Sequence, residues 1–206
     1  IKIKSLTRDR QFLFAAICFG IVSEIAMRVA IKIWGNNMPI AHVYCLVEFC
    51  LLLSVFYHGS KGLIPKKIYW AGMIGFVLAG LTDMIVNGSL WKGHSVIRSL
   101  ESILLIAIAL YYFFDLLRHM EILHPEKTFL FWIGVAMLVY FGGNLLVFIY
   151  YNHFQQIASQ SAKAKELMLQ IVFINYVLNI FLYTLYSIAL LCQKSKTIPK
   201  FSLSQP

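Results

Sequence analysis

Six apolar runs, at 12–34, 38–57, 68–86, 96–117, 128–151 and 167–192, follow one another through almost the whole chain. Each reaches the roughly 20 residues needed to cross about 30 Å of hydrocarbon as a helix. Inside a bilayer the backbone must satisfy its own N–H and C=O groups, which leaves only helices or a closed barrel. The runs are continuous and lack period-two alternation, so they predict helices. Punctuation agrees. Gly35-Asn36-Asn37 with Pro39 separates the first pair of runs, Pro65 precedes the third and Pro125 the fifth. Proline is tolerated at helix starts, where its missing N–H has no partner to lose.

Only 13% of the residues are charged, against about 25% in a soluble domain. With 206 residues there is room for one bundle and no soluble domain beside it. The expected fold is an all-α integral membrane protein, with residues 1–206 forming a single transmembrane helical domain of six spans. The chain begins at Ile1 without an initiator Met, so the N-terminus is expected to be incomplete or processed. Lys2, Lys4, Arg8 and Arg10 before an apolar run resemble the start of a signal peptide. The run continues past any cleavage length, however, and holds Glu24 and Arg28, so it reads as a retained first helix.

Basic residues near the span ends orient the chain. One side carries Lys2, Lys4, Arg8, Arg10, Lys61, Lys66, Lys67, Arg118, Lys127, Lys194, Lys196 and Lys200; the other has Lys32, Lys92, Lys163 and Lys165. Twelve against four places both termini in the cytoplasm of a multi-pass cell-membrane protein. Trp34, Trp70, Trp91 and Trp132 fall near span ends, as an interfacial aromatic belt requires. The net charge of +9 is spread over these flanks and forms no single basic surface, so it points to anionic lipid and away from nucleic acid. Cys18, Cys45, Cys50 and Cys192 lie within the spans in no CxxC pattern, which argues for apolar thiols. No cofactor or metal is expected.

Charged residues inside these runs set the functional question. Each costs roughly 2.5–3.5 kcal/mol at the bilayer centre unless it meets a partner, a cavity or water. Glu24, Arg28, Glu48, Asp83, Arg98 and Glu101 all lie within spans or at their margins. Six such charges would together cost on the order of 10–20 kcal/mol, more than a typical fold's stability. Under the predicted topology Tyr44, Asn144, Asn175 and Asn179 join them, so that every span contributes to one polar layer in the outer half.

Helical spacing groups several of them. Glu24 and Arg28 are four apart, with Gly20 one turn further on the same face, and are expected to point into the bundle. Tyr44 and Glu48 are four apart, Arg98 and Glu101 three apart. Asn175, Asn179, Tyr183 and Tyr186 form a stripe down the last span. His42 points away from the Tyr44–Glu48 face and reads as interfacial. Asp115 and Arg118 read as a snorkelling pair near the cytoplasmic end. Residues 153–166 read as a solvated loop, or as a short helix over the outer mouth. Gly72, Gly75, Ala79 and Asp83 share a face of the third span, where small residues permit close helix contact or a homo-oligomer seam.

Four acids face two arginines, which leaves Glu48 and Asp83 without a basic partner in view. That excess calls for neutral carboxyls, a bound cation or a water-filled vestibule. The plainer alternative is that the Glu–Arg couples and Asn stripes only make the spans compatible with lipid and with one another. HExxH, GxSxG, TVGYG and Arg-rich voltage-sensor patterns are absent from the sequence, as is a lysine in the last span of the kind that holds retinal.

Three functions remain, and the excess of acids favours the first. The first is movement or conduction of a small solute or ion, cation or proton coupled, through a chamber lined by Glu24, Glu48, Asp83 and Glu101, with Arg28 or Arg98 as counter-charges. The second is a ligand-binding or sensing receptor that signals through a partner membrane subunit. The third is an intramembrane enzyme acting on a lipid, with Glu48 or Asp83 as base and an arginine holding phosphate.

Overall fold

Backbone that cannot hydrogen-bond to its solvent closes its hydrogen bonds within each segment, and every long element among the described residues is a helix. A computed structural model describes residues 6–60, 62–86, 95–119, 124–158 and 162–192. Their elements are α1 (Arg8–Trp34), α2 (Met38–Gly59), α3 (Lys66–Val86), α4 (Ser95–His119), α5 (Phe129–Ala158) and α6 (Ala162–Leu191), with a short 3-10 turn at Pro125–Lys127 before α5. Five of them, α1 to α4 and α6, are long and apolar enough to cross a membrane, and α5 carries the apolar segment Phe129–Leu145. Trp91, Lys61, Lys92 and the tail lysines Lys2, Lys4, Lys194, Lys196 and Lys200 lie outside the described residues.

The α1–α2 hairpin shows why the chain turns where it does. Gly35 takes φ 69°, the left-handed region that glycine enters at little cost, and its N–H returns to the Ile31 carbonyl at 3.0 Å. Asn36 Oδ1 then accepts the Met38 N–H at 2.9 Å, which satisfies one of the donors that a helix start leaves open. The expected loop between α5 and α6 is corrected. Residues 152–158 continue α5 and 162–166 begin α6, with 159–161 outside the described residues. Ala, Gln, Lys and Glu are good helix formers, so both helices run past the apolar boundary.

In space α1 lies beside α2, α2 beside α4, α4 beside α5 and α5 beside α6, while α3 flanks α2 and α4. The ring is nearly open between α1 and α6. Those two helices meet at the end where α1 begins and α6 stops, called here the terminal end. There the Arg10 guanidinium donates to the carbonyls of Leu190 and Cys192. A cation at a helix C-terminus is favoured because the last carbonyls have no intrahelical partner. Further along, Gly20 lets the Tyr183 hydroxyl approach so closely that a Cβ would stand 2.6 Å from it.

The terminal half of the ring is filled. Leu52, Val55, Phe56, Ala109, Ile133 and Met137 are fully buried there. Phe56 meets Tyr112 edge to face at 5.8 Å between centroids. Phe49 stacks on Phe76 of α3 at 4.0 Å, and Ser54 Oγ bonds the Tyr69 hydroxyl at 3.0 Å, tying α3 to α2. Outward-facing Ile33, Ile68, Ile85, Phe173 and Leu191 are exposed. So much apolar surface is what a lipid-facing exterior presents.

Candidate functional site

Arg98, near the start of α4, is the centre of the buried polar layer, and its side chain is only 10% exposed. Its Nη1 donates to Glu48 Oε2 of α2 at 2.7 Å and to Glu101 Oε2 one turn along α4. Nη2 reaches the Tyr140 hydroxyl of α5 in a long contact of 3.5 Å. The guanidinium lies 5.4 Å from the Tyr44 ring centre and 6.0 Å from that of Phe141, within range of attraction to aromatic faces. One side chain thus holds α2, α4 and α5 together.

The carboxylates have further donors. The Tyr44 hydroxyl donates to Glu48 Oε1 at 2.6 Å, and Cys45 Sγ donates to Glu101 Oε2 at 3.1 Å. Glu101 Oε1 and the Tyr186 hydroxyl are buried without a hydrogen-bond partner among the described residues. A buried carboxylate is tolerated only when paired and hydrogen-bonded, and Glu48 meets that condition on both oxygens.

The expectation that Glu48 lacks a basic partner is therefore corrected. Its arginine lies fifty positions away on another helix, where helical spacing along one segment could not reveal it. His42, near the start of α2, is 1% exposed and packs within the bundle. Glu24 and Arg28 pair at 3.1 Å as their spacing predicts, but their side chains stay 51% and 71% exposed. They sit on the wall of an open cleft, outside the buried cluster.

An asparagine ladder joins α6 to α5. Asn179 Nδ2 donates to Asn175 Oδ1 at 2.9 Å, Asn175 Nδ2 to Asn144 Oδ1 at 2.9 Å, and Asn144 Nδ2 to the Tyr140 carbonyl at 3.0 Å. The ladder ends on Tyr140, the residue whose hydroxyl Arg98 approaches. Tyr140 was not singled out by the sequence, and Cys45, read there as an apolar thiol, is corrected to a donor to Glu101. Tyr140 precedes Asn144 by four positions and Cys45 precedes Glu48 by three, so helical spacing from those residues would have found both.

Above the cluster lies a cleft of about 1090 Å³ between α1 and α6. Its floor is Tyr44, Arg98 and Tyr140; Glu24 and Arg28 stand on the α1 wall, Asn175, Asn179 and Tyr183 on the α6 wall. Ile21, Ile25 and Ile31 of α1 and Ile171 and Ile180 of α6 add apolar surface to these walls, beside Asn37, Thr184 and Ser187. Glu48, Glu101 and Asn144 lie behind this surface, and Asp83 on α3 does not line it. Among the described residues no three His, Cys, Asp or Glu side chains gather as metal ligands. The arrangement offers a polar floor, hydrogen-bonding groups and apolar walls, the features of a small-molecule site.

Compared with known protein families, with curated proteins and with solved structures, the chain matches none.

Proposed function

We propose that this chain is a binding or sensing module of the cell membrane, with six spanning helices, both termini cytoplasmic and the cleft in the outer half. The observation that carries this reading is a cleft whose floor belongs to a three-helix ion cluster while the space beneath it is packed. A ligand touching Tyr44, Arg98 or Tyr140 acts at once on α2, α4 and α5, through the bonds that hold those helices together. Small shifts of packed helices are a recognised route from ligand to output. The output would come from a partner membrane subunit.

Movement of a cation or proton along the chain has less support. Glu48 and Glu101 are engaged by Arg98, and the buried side chains from Leu52 to Phe56 and from Ile133 to Met137 fill the terminal half. For the lipid-enzyme reading, Glu48 is hydrogen-bonded on both oxygens and Asp83 does not line the cleft.

The test is to purify wild type and Ile25→Trp in mild detergent and compare the small molecules that accompany each by mass spectrometry. Ile25 is exposed on the cleft wall, so an indole fills space without disturbing the core. Wild type is expected to retain a molecule that Ile25→Trp has lost. Cation or proton flux into proteoliposomes that requires this chain would overturn the binding reading in favour of transport.

Topology has its own check. Cysteines placed at Ser5 and Ser204 are expected to resist an impermeant thiol reagent applied to intact cells and to react once the membrane is opened. Labelling from outside at either position would reverse the orientation drawn from the basic residues.

A further inference from the structure

We infer that the cleft takes an acyl chain of a membrane lipid, which enters sideways from the surrounding leaflet between α1 and α6. This rests on the binding reading above and names its ligand class by the tail alone.

The opening follows from the helix arrangement. α1 and α6 are clasped at the terminal end by Arg10 and touch at Gly20 and Tyr183, and beyond that point the cleft separates them. Its lining runs from Gly20 to Ile31 on α1 and from Ile171 to Ser187 on α6. At a helical rise of about 1.5 Å per residue these stretches are about 16 Å and 24 Å long, against about 15 Å for the hydrocarbon of one leaflet. The cleft is therefore a slot along the helices, at least as long as the leaflet beside it is deep. Its walls are continuous with the lipid-facing exterior. Ile21, Ile25 and Ile31 on α1 and Ile180 on α6 are half or more exposed, as are the outward-facing Ile33 and Phe173 on the same two helices.

A space of about 1090 Å³ in this position fills with water or with lipid, and the wall groups favour lipid. Water would leave the isoleucines hydrated, at about 25 cal/mol per Å² of apolar surface. The polar side chains of the α6 wall offer water little in return. Asn175 and Asn179 donate within the ladder, and the Thr184 and Ser187 hydroxyls donate to the carbonyls of Ile180 and Tyr183 at 2.7 and 2.8 Å. A hydroxyl bonded back to its own helix faces a hydrocarbon chain without leaving a donor open. On the α1 wall Glu24 and Arg28 present one charge of each sign, so the walls select for the tail and not for the charge of the head group.

The test reconstitutes the full chain in phosphatidylcholine vesicles that contain a small share of phosphatidylcholine with a diazirine on one acyl chain. A water-soluble, membrane-impermeant diazirine is the second probe, and peptide mass spectrometry after irradiation reads where each has attached. The acyl probe is expected on Tyr44 and Tyr140 of the cleft floor as well as on exposed Ile74 of α3, which serves as the reference for lipid at the outer surface. Ile25→Trp and Ile180→Trp, at exposed positions on opposite walls, should each lower the acyl label on the two tyrosines about tenfold relative to Ile74, a change of about 1.4 kcal/mol in occupancy. Absence of acyl label on the tyrosines, with or without label from water, would overturn the lipid chain. So would acyl label that both tryptophan variants leave unchanged, because the slot between α1 and α6 would not be its route. In these cases the binding reading stands if wild type still carries a molecule that Ile25→Trp lacks. If it carries none and neither probe reaches the floor, both fall.

Discussion

Arg98→Met is expected to destabilise the folded chain by about 3–5 kcal/mol, the range for removing one partner of a buried ion pair. For a chain of this size that lowers Tm by about 6–20 °C. The methionine fills much of the same space, so the loss comes from charge and not from a cavity. Glu48 and Glu101 would remain buried with, among the described residues, Tyr44 and Cys45 to donate to them, and α2, α4 and α5 would lose their common link. Adding Glu48→Gln and Glu101→Gln to Arg98→Met should recover most of the loss, since a neutral network needs no counter-charge. Thermal unfolding in mild detergent, followed by intrinsic fluorescence, measures both. A single variant that melts like wild type would mean that the cluster does not hold these helices together.

Glu48→Gln should behave differently. Glutamine keeps an acceptor for the Tyr44 hydroxyl, and Arg98 retains Glu101, so the expected loss is about 1.5–3 kcal/mol, the size of one charged hydrogen bond. The protein should fold but lose ligand response, because Tyr44 and Arg98 form the cleft floor and both are positioned by this carboxylate. Comparing melting curves with retention of the co-purifying molecule separates the two effects. Full ligand retention in a folded Glu48→Gln would confine the cluster to a structural role. From the sequence Glu48, with Asp83, is an acid without a basic partner in view. The position stands out for the opposite reason: it is the carboxylate that joins two helices.

What was legible in the sequence is what lies within one helix. The runs specify helices because only helices and closed barrels cross lipid with the backbone satisfied, and these runs are continuous, without the alternation of barrel strands. Spacings of three and four residues place Glu24 against Arg28, Tyr44 against Glu48, Arg98 against Glu101 and Asn175 against Asn179, and all four contacts are present. These depend on the helical repeat alone.

Only the tertiary structure decided how those pairs combine. Glu48 meets Arg98, Cys45 meets Glu101 and Asn175 meets Asn144 across helices, and α1 stands apart from α6 to leave the cleft. The physical reason is that these helices are apolar almost all round. In a soluble protein the polar stripe of each helix tells which face turns outward, whereas here lipid and core accept the same side chains. The choice of neighbours then falls to close packing, at Gly20 against Tyr183 or Phe49 against Phe76, and to the demand that each buried charge find its opposite. Both are properties of two surfaces brought together, and neither can be read along one strand of sequence.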